Sequence, residues 1–134
     1  MSPPGKEPGL PEVLFFHTVS IEKYGGTGGV RDEASLLAAI ERPWQASFGR
    51  EHFASPFEKA AALMESIIRR HPFVDGNKRT GLVAALAFLD LNGIATEPLD
   101  EDKAYELTMA VAAGKLHDVD EIALGLRGCI SSSR

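Results

Sequence analysis

The chain has 134 residues, of which 44% are hydrophobic and 25% are charged, and this fits one globular domain with little room for a second. Its 14 Lys and Arg residues and 19 Asp and Glu residues give a formal net charge of -5, which argues against binding nucleic acid or anionic lipid through overall charge. The single cysteine, Cys129, permits no internal disulfide and excludes a cysteine-built zinc site.

Residues 1–10 are predicted to form a disordered tail, because they are rich in proline and glycine and contain no apolar run that could serve as a signal-peptide core. Residues 131–134 are expected to be a flexible C-terminus. The longest apolar stretch, residues 82–89, is far shorter than the ~20 residues that cross a bilayer. We therefore expect a cytoplasmic protein whose domain covers residues 11–130, with neither a membrane nor a nucleic acid as partner.

After the tail, apolar residues recur with helical spacing, and capping residues, glycine and proline separate the segments. The first helix is predicted over residues 11–24 and carries His17 on its apolar stripe, where packing or surface exposure is the default role of a histidine. A second helix is predicted between its cap Asp32 and Pro43. Residues 44–54 are predicted to be irregular.

The third predicted helix has the clearest start, with Ser55 as N-cap, Pro56 at the first helical position and Glu58 placed to reach back to the cap. The fourth, over residues 78–91, is apolar on nearly all sides, which indicates a buried central helix. Two further helices are predicted over residues 101–113 and 118–126. The fold class is therefore all-α, a compact bundle of about six helices.

The loop between the third and fourth helices, residues 71–77, is densely polar and leads into a helix N-terminus, where unpaired N–H groups and the helix dipole attract anions. Gly76 permits a positive φ, and Asn77 is predicted to cap the helix and to donate from its amide. Lys78 and Arg79 oppose the dipole at a cost of about 1 kcal/mol or less each, whereas a hydrogen bond to a charged group contributes about 1.5 to 3 kcal/mol. A bound phosphate would outweigh the repulsion.

Two further side chains in this segment suit phosphate chemistry. An imidazole such as that of His71 can take a proton from a hydroxyl group at neutral pH, and the carboxylate of Asp75 suits a Mg²⁺ ion that bridges phosphate oxygens. Other interpretations remain open: Asp75 caps the helix or pairs with Arg79, Lys78 is a solvated charge, and the whole segment is only a polar connecting loop.

The segment resembles the signature of the Fic/Doc superfamily, HxFx(D/E)GNxR, and every constrained position is filled, by His71, Phe73, Asp75, Gly76, Asn77 and Arg79. The similarity continues in residues 24–26, 31–32, 39–43 and 88–93, so that it covers most of the chain after the tail. It implies a Fic/Doc-like fold in which the active loop precedes the central helix.

The resemblance also implies a role for each residue. His71 would be the general base, Asp75 the Mg²⁺ ligand, and Phe73 a packing anchor. Phosphate binding would involve the loop at Gly76, the anion hole at Asn77 and a catalytic clamp of Lys78 and Arg79. Arg69 matches an arginine of death-on-curing (Doc) proteins and would contact the transferred phosphate. Alternatively, it only favours the dipole at the end of its helix.

Two departures from the AMP-transferring Fic enzymes indicate the subgroup. Those enzymes usually have glycine where this chain has Lys78, and a second arginine where it has Leu82. Both features resemble Doc toxins, which implies transfer of the γ-phosphate of ATP, with Mg²⁺, to a Ser or Thr hydroxyl group of a protein of the translation machinery such as elongation factor Tu. The chain lacks a complete inhibitory (S/T)xxxE(G/N) motif, so a small antitoxin acting in trans is the expected regulator.

Two other functions remain open at this point. The same residues could transfer AMP or another part of a nucleotide instead of phosphate. A catalytically silent binding module that uses the loop only to bind an anion or a partner is the other alternative.

Overall fold

The computed structural model describes residues 7–131. Within this range the chain forms six helices, which are α1 (Leu10–Tyr24), α2 (Glu33–Glu41), α3 (Pro56–Arg70), α4 (Asn77–Leu91), α5 (Glu101–Ala112) and α6 (Val119–Ser131). A 3₁₀ turn (Arg42–Trp44) and a hairpin of β1 (Ala46–Ser47) and β2 (Arg50–Glu51) join α2 to α3. The prediction of an all-α bundle is confirmed, whereas the segment predicted to be irregular contains this hairpin, whose two-residue strands are too short to show an alternating pattern.

The centre of the bundle is formed by α3 and α4. Helix α3 packs against α2, α4, α5 and α6, while α4 packs against α1, α3 and α5. The predicted start of α3 is confirmed, because Glu58 N–H donates to Ser55 Oγ at 3.1 Å and Ser55 N–H donates to the Glu58 carboxylate at 3.0 Å. The apolar stripe of α3 is buried along its whole length, from Phe57 to Ile68.

Helix α4 is less enclosed than its composition predicts. Its Val83 and Leu91 are 41% and 45% exposed, and it begins at Asn77 and not at Lys78. One face packs on α3 through Ala84, Ala85 and Phe88, which are fully buried, and the opposite face borders an open cleft. Apolar residues on that outer face therefore line a cavity instead of the core.

The N-terminal segment is ordered closer to the terminus than predicted. Trp44 Nε1 donates to the carboxylate of Glu7, Pro8 is buried, and α1 begins at Leu10 with Gly9 as its cap. Residues 7–10, which the prediction placed in the disordered tail, therefore belong to the folded domain, because Trp44 binds Glu7 from a distant part of the chain and Leu10 begins α1. The remaining predicted tail, residues 1–6, and residues 132–134 of the predicted flexible C-terminus lie outside the described residues.

The last helix is longer than predicted, since it continues past residue 126 to Ser131 and buries Cys129 and Ile130. Burial raises the pKa of the Cys129 thiol, as expected of a small core residue. Gly125 lies inside the helix at a close approach to α5, since a Cβ atom there would lie 2.6 Å from Leu107 Cδ1. None of the helices within residues 7–131 combines the length and apolar character of a membrane span.

Candidate active site

The C-terminal end of α3 carries the histidine of the polar loop. His71 caps this helix in the left-handed conformation, with φ 52° and ψ 57°. The last carbonyl groups of a helix have no partner inside it, and here Arg31 binds two of them. Its Nη2 donates to the Arg70 carbonyl at 2.8 Å and its Nε donates to the His71 carbonyl at 2.7 Å. A side chain 40 residues earlier in the chain therefore fixes the backbone at His71.

The backbone of residues 29–32 runs antiparallel to the loop. Arg31 N–H donates to the Pro72 carbonyl at 2.7 Å, Val74 N–H donates to the Gly29 carbonyl at 3.1 Å, and Val30 pairs with Phe73. These hydrogen bonds satisfy loop groups that neither α3 nor α4 can bind. The loop is consequently held on both sides of Phe73, whose side chain is completely buried.

Asn77 has a different role from the one predicted. Gly76, with φ 82°, occupies the N-cap of α4, and Asn77 is the first helical residue. The Asn77 amide closes across the loop, since its Oδ1 accepts from Phe73 N–H and its Nδ2 donates to the Phe73 carbonyl, both at 3.0 Å. A carboxamide can accept and donate at once, and this makes it suited to pair with both backbone groups of one residue. The prediction that Asn77 caps α4 is wrong.

The same amide contacts the candidate base. Asn77 Nδ2 lies 3.4 Å from His71 Nδ1, a long and weak hydrogen bond. The bonds of Asn77 to Phe73 set which amide atom faces the ring, so that an N–H group points to Nδ1. A neutral His71 that accepts this hydrogen bond has its lone pair at Nδ1 and its proton at Nε2. His71 is exposed, so its ring is open to a substrate hydroxyl group.

Asp75 is fixed through both its side chain and its backbone. Thr27 N–H donates to Asp75 Oδ2 at 2.9 Å, and the Asp75 carbonyl oxygen lies 2.7 Å from His17 Nε2. A carboxylate offers more lone pairs than one N–H group uses, so the oxygen atoms of Asp75 can also bind a hard cation. Among the described residues no group of three or more His, Cys, Asp and Glu side chains is gathered at one point. The donor set fits a Mg²⁺ ion that takes its other ligands from phosphate and water, which is the usual protein environment of Mg²⁺.

The loop opens on a cleft with a volume of about 930 Å³. Charged and polar groups form its loop side, including Asp75, Gly76, Asn77, Lys78 and Arg79. Leu82 and Val83 of α4 and Tyr105 and Met109 of α5 form much of the opposite, apolar side. Ligand clefts of about 300 to 1,000 Å³ accommodate molecules the size of a nucleotide. This cleft therefore has room for a triphosphate beside the loop and an apolar surface for the rest of the molecule.

The cations of the segment are spread over two places. The Arg79 guanidinium lies over the ring of Tyr24, 4.4 Å from its centre, and Lys78 is exposed at the rim of the cleft. Arg69 belongs to α3, but its side chain reaches the C-terminal end of α5. There its Nη1 donates to the Ala112 carbonyl at 3.3 Å, and the guanidinium packs against Gly114. The structure thus brings together the predicted residues from His71 to Arg79. The side chain of Arg69, by contrast, binds the end of α5, which is neither the predicted phosphate contact nor the end of its own helix.

Two residues at the loop had no functional role in the sequence interpretation. Arg31 was part of the family resemblance without a role, and His17 was assigned to packing or the surface by default. His17 is indeed buried, at 5% exposure, and its ring stacks on Phe73 with centroids 3.9 Å apart. A polar ring on an apolar helix stripe was the available signal, but its target lies 58 residues away in the sequence.

Comparison with known proteins agrees with this geometry. The sequence model of the Fic/DOC family matches residues 9–89, which include α1 to α3, the whole loop and all but the last two residues of α4. A curated relative named Toxin Doc, from Mycolicibacterium smegmatis, is 39% identical over 112 residues that cover 83% of this chain and 85% of the relative. Another, named Protein kinase doc, from Escherichia phage P1, is 34% identical over 122 residues that cover 91% of this chain and 94% of the relative. The chain belongs to the Fic/DOC family and is similar within it to the death-on-curing proteins.

Proposed function

We propose that the chain is a Doc-type toxin that transfers the γ-phosphate of ATP to a Ser or Thr hydroxyl group of a target protein. The observation that carries the proposal is the loop itself, which presents an exposed imidazole, a carboxylate and two cations beside a cleft of about 930 Å³. One of the two relatives is named as a toxin and the other as a protein kinase, and these names support the toxin role and phosphate transfer.

His71 would act as the general base. In the proposed step, the substrate hydroxyl group replaces the weak Asn77 contact and gives its proton to His71 Nδ1. The hydroxyl oxygen then forms a bond to the γ-phosphorus, and the bond from that phosphorus to the bridging oxygen breaks. ADP leaves with the electron pair of the broken bond.

The remaining residues would stabilise charge on the phosphate oxygens. Lys78 and Arg79 supply fixed positive charge, while Asn77 and the backbone at Gly76 supply N–H groups at the start of α4. Asp75 would bind a Mg²⁺ ion, which when present neutralises charge on the phosphates. Arg69 would be a further phosphate contact, because its 3.3 Å hydrogen bond to Ala112 is weak enough to be exchanged for one to a phosphate oxygen.

Lys78 and Leu82 favour phosphate transfer over AMP transfer. Leu82 lines the cleft at the position where AMP-transferring enzymes usually have an arginine, so it supplies no charge for the nucleotide phosphates. Lys78 stands at the rim where those enzymes have glycine, and its side chain would crowd a nucleotide in their orientation.

The proposed partners are proteins. A factor of the translation machinery such as elongation factor Tu would be the substrate, and a small antitoxin acting in trans would neutralise the toxin in the cytoplasm. The resemblance to Doc toxins supports both. Tyr105 and Met109, which are 65% and 40% exposed along the cleft, are available for contact with a protein.

The test is incubation of the protein with a cell lysate and ATP labelled on either the α- or the γ-phosphate, with His71→Ala as control. Transfer of only the γ-label to a protein band, with the mass of one phosphate group added, is the expected result. Transfer of the α-label would replace the proposal with nucleotidyl transfer. If neither label is transferred, and if wild type and His71→Ala arrest growth equally, the protein is a silent binding module.

A further inference from the structure

His17 is a buried polar side chain that the proposed chemistry does not use. It lies in the middle of α1 and is stacked on Phe73 with an interplanar angle of 8°. Its Nε2 lies 2.7 Å from the carbonyl oxygen of Asp75. Because a carbonyl oxygen can only accept, Nε2 carries a hydrogen and donates it to the loop backbone.

This hydrogen bond sets the direction of one peptide unit. Among the described residues only the Glu97–Pro98 bond is cis, so the Asp75–Gly76 peptide is trans. In a planar trans peptide the C=O and N–H groups point in opposite directions. Since the Asp75 carbonyl points to His17, the Gly76 N–H points away from His17, and Gly76 is one of the residues that line the cleft.

We propose that His17 is a positioning residue, which holds the Asp75–Gly76 peptide so that Gly76 N–H can donate to a phosphate in the cleft. The inference rests on the proposed function and adds to it a residue outside the loop. His17 touches neither the substrate nor the reacting atoms, and acts only through the loop backbone.

The opposite peptide orientation is disfavoured twice. It would turn the Asp75 carbonyl oxygen towards the bound phosphate, where two acceptors would repel each other. It would also break the hydrogen bond between the Asp75 carbonyl oxygen and His17 Nε2, and Nε2 could accept from Gly76 N–H instead only if the imidazole moved its hydrogen to Nδ1. Gly76 lies against α1, because a Cβ atom there would be 3.4 Å from both His17 Cδ2 and Ile21 Cδ1.

Two substitutions separate the hydrogen bond from the ring. His17→Phe retains an aromatic ring against Phe73 but removes the donor. His17→Gln removes the ring but can place an amide N–H close to the position of Nε2. We expect His17→Phe to weaken binding of inorganic pyrophosphate by about 10- to 100-fold, the range that follows from one hydrogen bond to a charged group. His17→Gln should restore binding to within a few-fold of wild type.

The readout is a titration of the ¹⁵N-labelled full chain with pyrophosphate, followed by the amide resonance of Gly76, with thermal unfolding measured in parallel. In wild type this resonance should move downfield on binding. Equal binding and an equal Gly76 shift in folded His17→Phe would overturn the inference, and so would a folded His17→Gln that is as impaired as His17→Phe.

The wild-type titration tests the inference even if His17→Phe does not fold. Pyrophosphate that binds wild type without moving the Gly76 resonance overturns the role of His17 and leaves the proposed function in place. Failure of wild type to bind either pyrophosphate or ATP contradicts the proposed function, and the inference falls with it.

Discussion

The two ends of α3 are closed in contrasting ways. At the N-terminal end, Ser55 and Glu58 exchange hydrogen bonds with each other's backbone three residues apart. At the C-terminal end, the carbonyl groups of Arg70 and His71 accept from Arg31, a residue distant in the sequence. The local cap uses the side chains of the end itself. The remote cap binds only the backbone, and this leaves the imidazole of His71 free for chemistry.

The same contrast applies to charge. At the N-terminal end, the hydrogen bond from Ser55 N–H, together with weaker ones from neighbouring groups, holds the pKa of the Glu58 carboxyl below its ordinary value. The charge of Glu58 is thus satisfied within the helix end. Beyond the other end, the charges of Lys78 and Arg79 in the first turn of α4 line a cleft that a ligand can enter. Hydrogen bonds stabilise both ends of α3, and the C-terminal end also lies beside the candidate site.

Replacement of His71 by alanine removes the proposed general base at the C-terminal end of α3. We expect His71→Ala to slow phosphate transfer by about 10²- to 10⁴-fold, the usual contribution of a general base. The thermal unfolding midpoint should change little, because the side chain is exposed and makes only the weak contact with Asn77. Initial rates of transfer and a thermal melt of the same preparation check this, and a transfer rate close to that of wild type would refute the role of His71.

Removal of the remote cap should affect both stability and activity. Arg31→Ala loses two hydrogen bonds from a charged group to helix carbonyls, and we expect it to lower the free energy of unfolding by about 1 to 2 kcal/mol. Transfer should slow as well, because the backbone at His71 loses its anchor. Urea unfolding measures the change in the free energy of unfolding, and initial rates measure the change in transfer.

Arg31→Lys is the matched control for this prediction. Its ammonium group keeps the charge but cannot bind both carbonyl groups in the fork geometry of arginine. We therefore expect lysine to recover only part of the stability and part of the transfer rate that Arg31→Ala loses. If Arg31→Ala lowers stability without changing the transfer rate, the remote cap is structural and the contrast between the two ends is weaker than we infer.

Removal of the local cap should affect stability alone. Ser55→Ala leaves Glu58 N–H without its side-chain acceptor and should lower the free energy of unfolding by about 1 kcal/mol. Below the unfolding transition the transfer rate should equal that of wild type, because Ser55 lies at the far end of α3 from His71. Ser55→Thr, which keeps a hydroxyl group, should recover most of the stability. A slower transfer rate in folded Ser55→Ala would show that the two ends are coupled.

The smallest expected effect is the pH dependence of the local cap. The folded-state pKa of Glu58 is below its ordinary value of 4.5, so its stabilising effect is complete above that pH and is lost as the pH falls through the folded-state pKa. Glu58 is only partly buried, and screening by solvent limits the effect to a few tenths of a kcal/mol. Urea unfolding of wild type and Glu58→Gln should therefore show a difference at pH 7 that shrinks near pH 3. A difference that is the same at both pH values would contradict this assignment.

The helices were predictable because their boundaries depend on short-range signals. Asp32 caps α2 through Ser35, and Asp100 caps α5 through Lys103, each only three residues away. The predicted end of α6, residue 126, was too early, because the last turn of the helix is placed by the burial of Cys129 and Ile130 in the core. The same holds for residues 7–10, because the carboxylate of Glu7 binds Trp44 in a distant part of the chain.

The candidate site was predictable as a set of residues but not as an arrangement. The order of side chains from His71 to Arg79 was enough to predict a phosphate loop, since all of them lie within one turn and one helix start. Asn77 was expected at the helix cap but pairs with Phe73, and the side chain of Arg69, which we propose as a phosphate contact, binds the end of α5 in this structure. Both choices depend on which backbone groups are left unsatisfied after folding.

By itself, the amino-acid sequence determined the all-α class, the helix starts and the chemical groups of the loop, because these depend on hydrogen bonds and periodicity over a few residues. Only the tertiary structure decided that Arg31 and His17 hold the loop backbone from its two sides, that Asp75 binds Thr27 N–H, and that one face of α4 borders a cleft. Unpaired backbone groups must find partners wherever the packed chain brings a donor or an acceptor, and sequence distance carries no information about that choice.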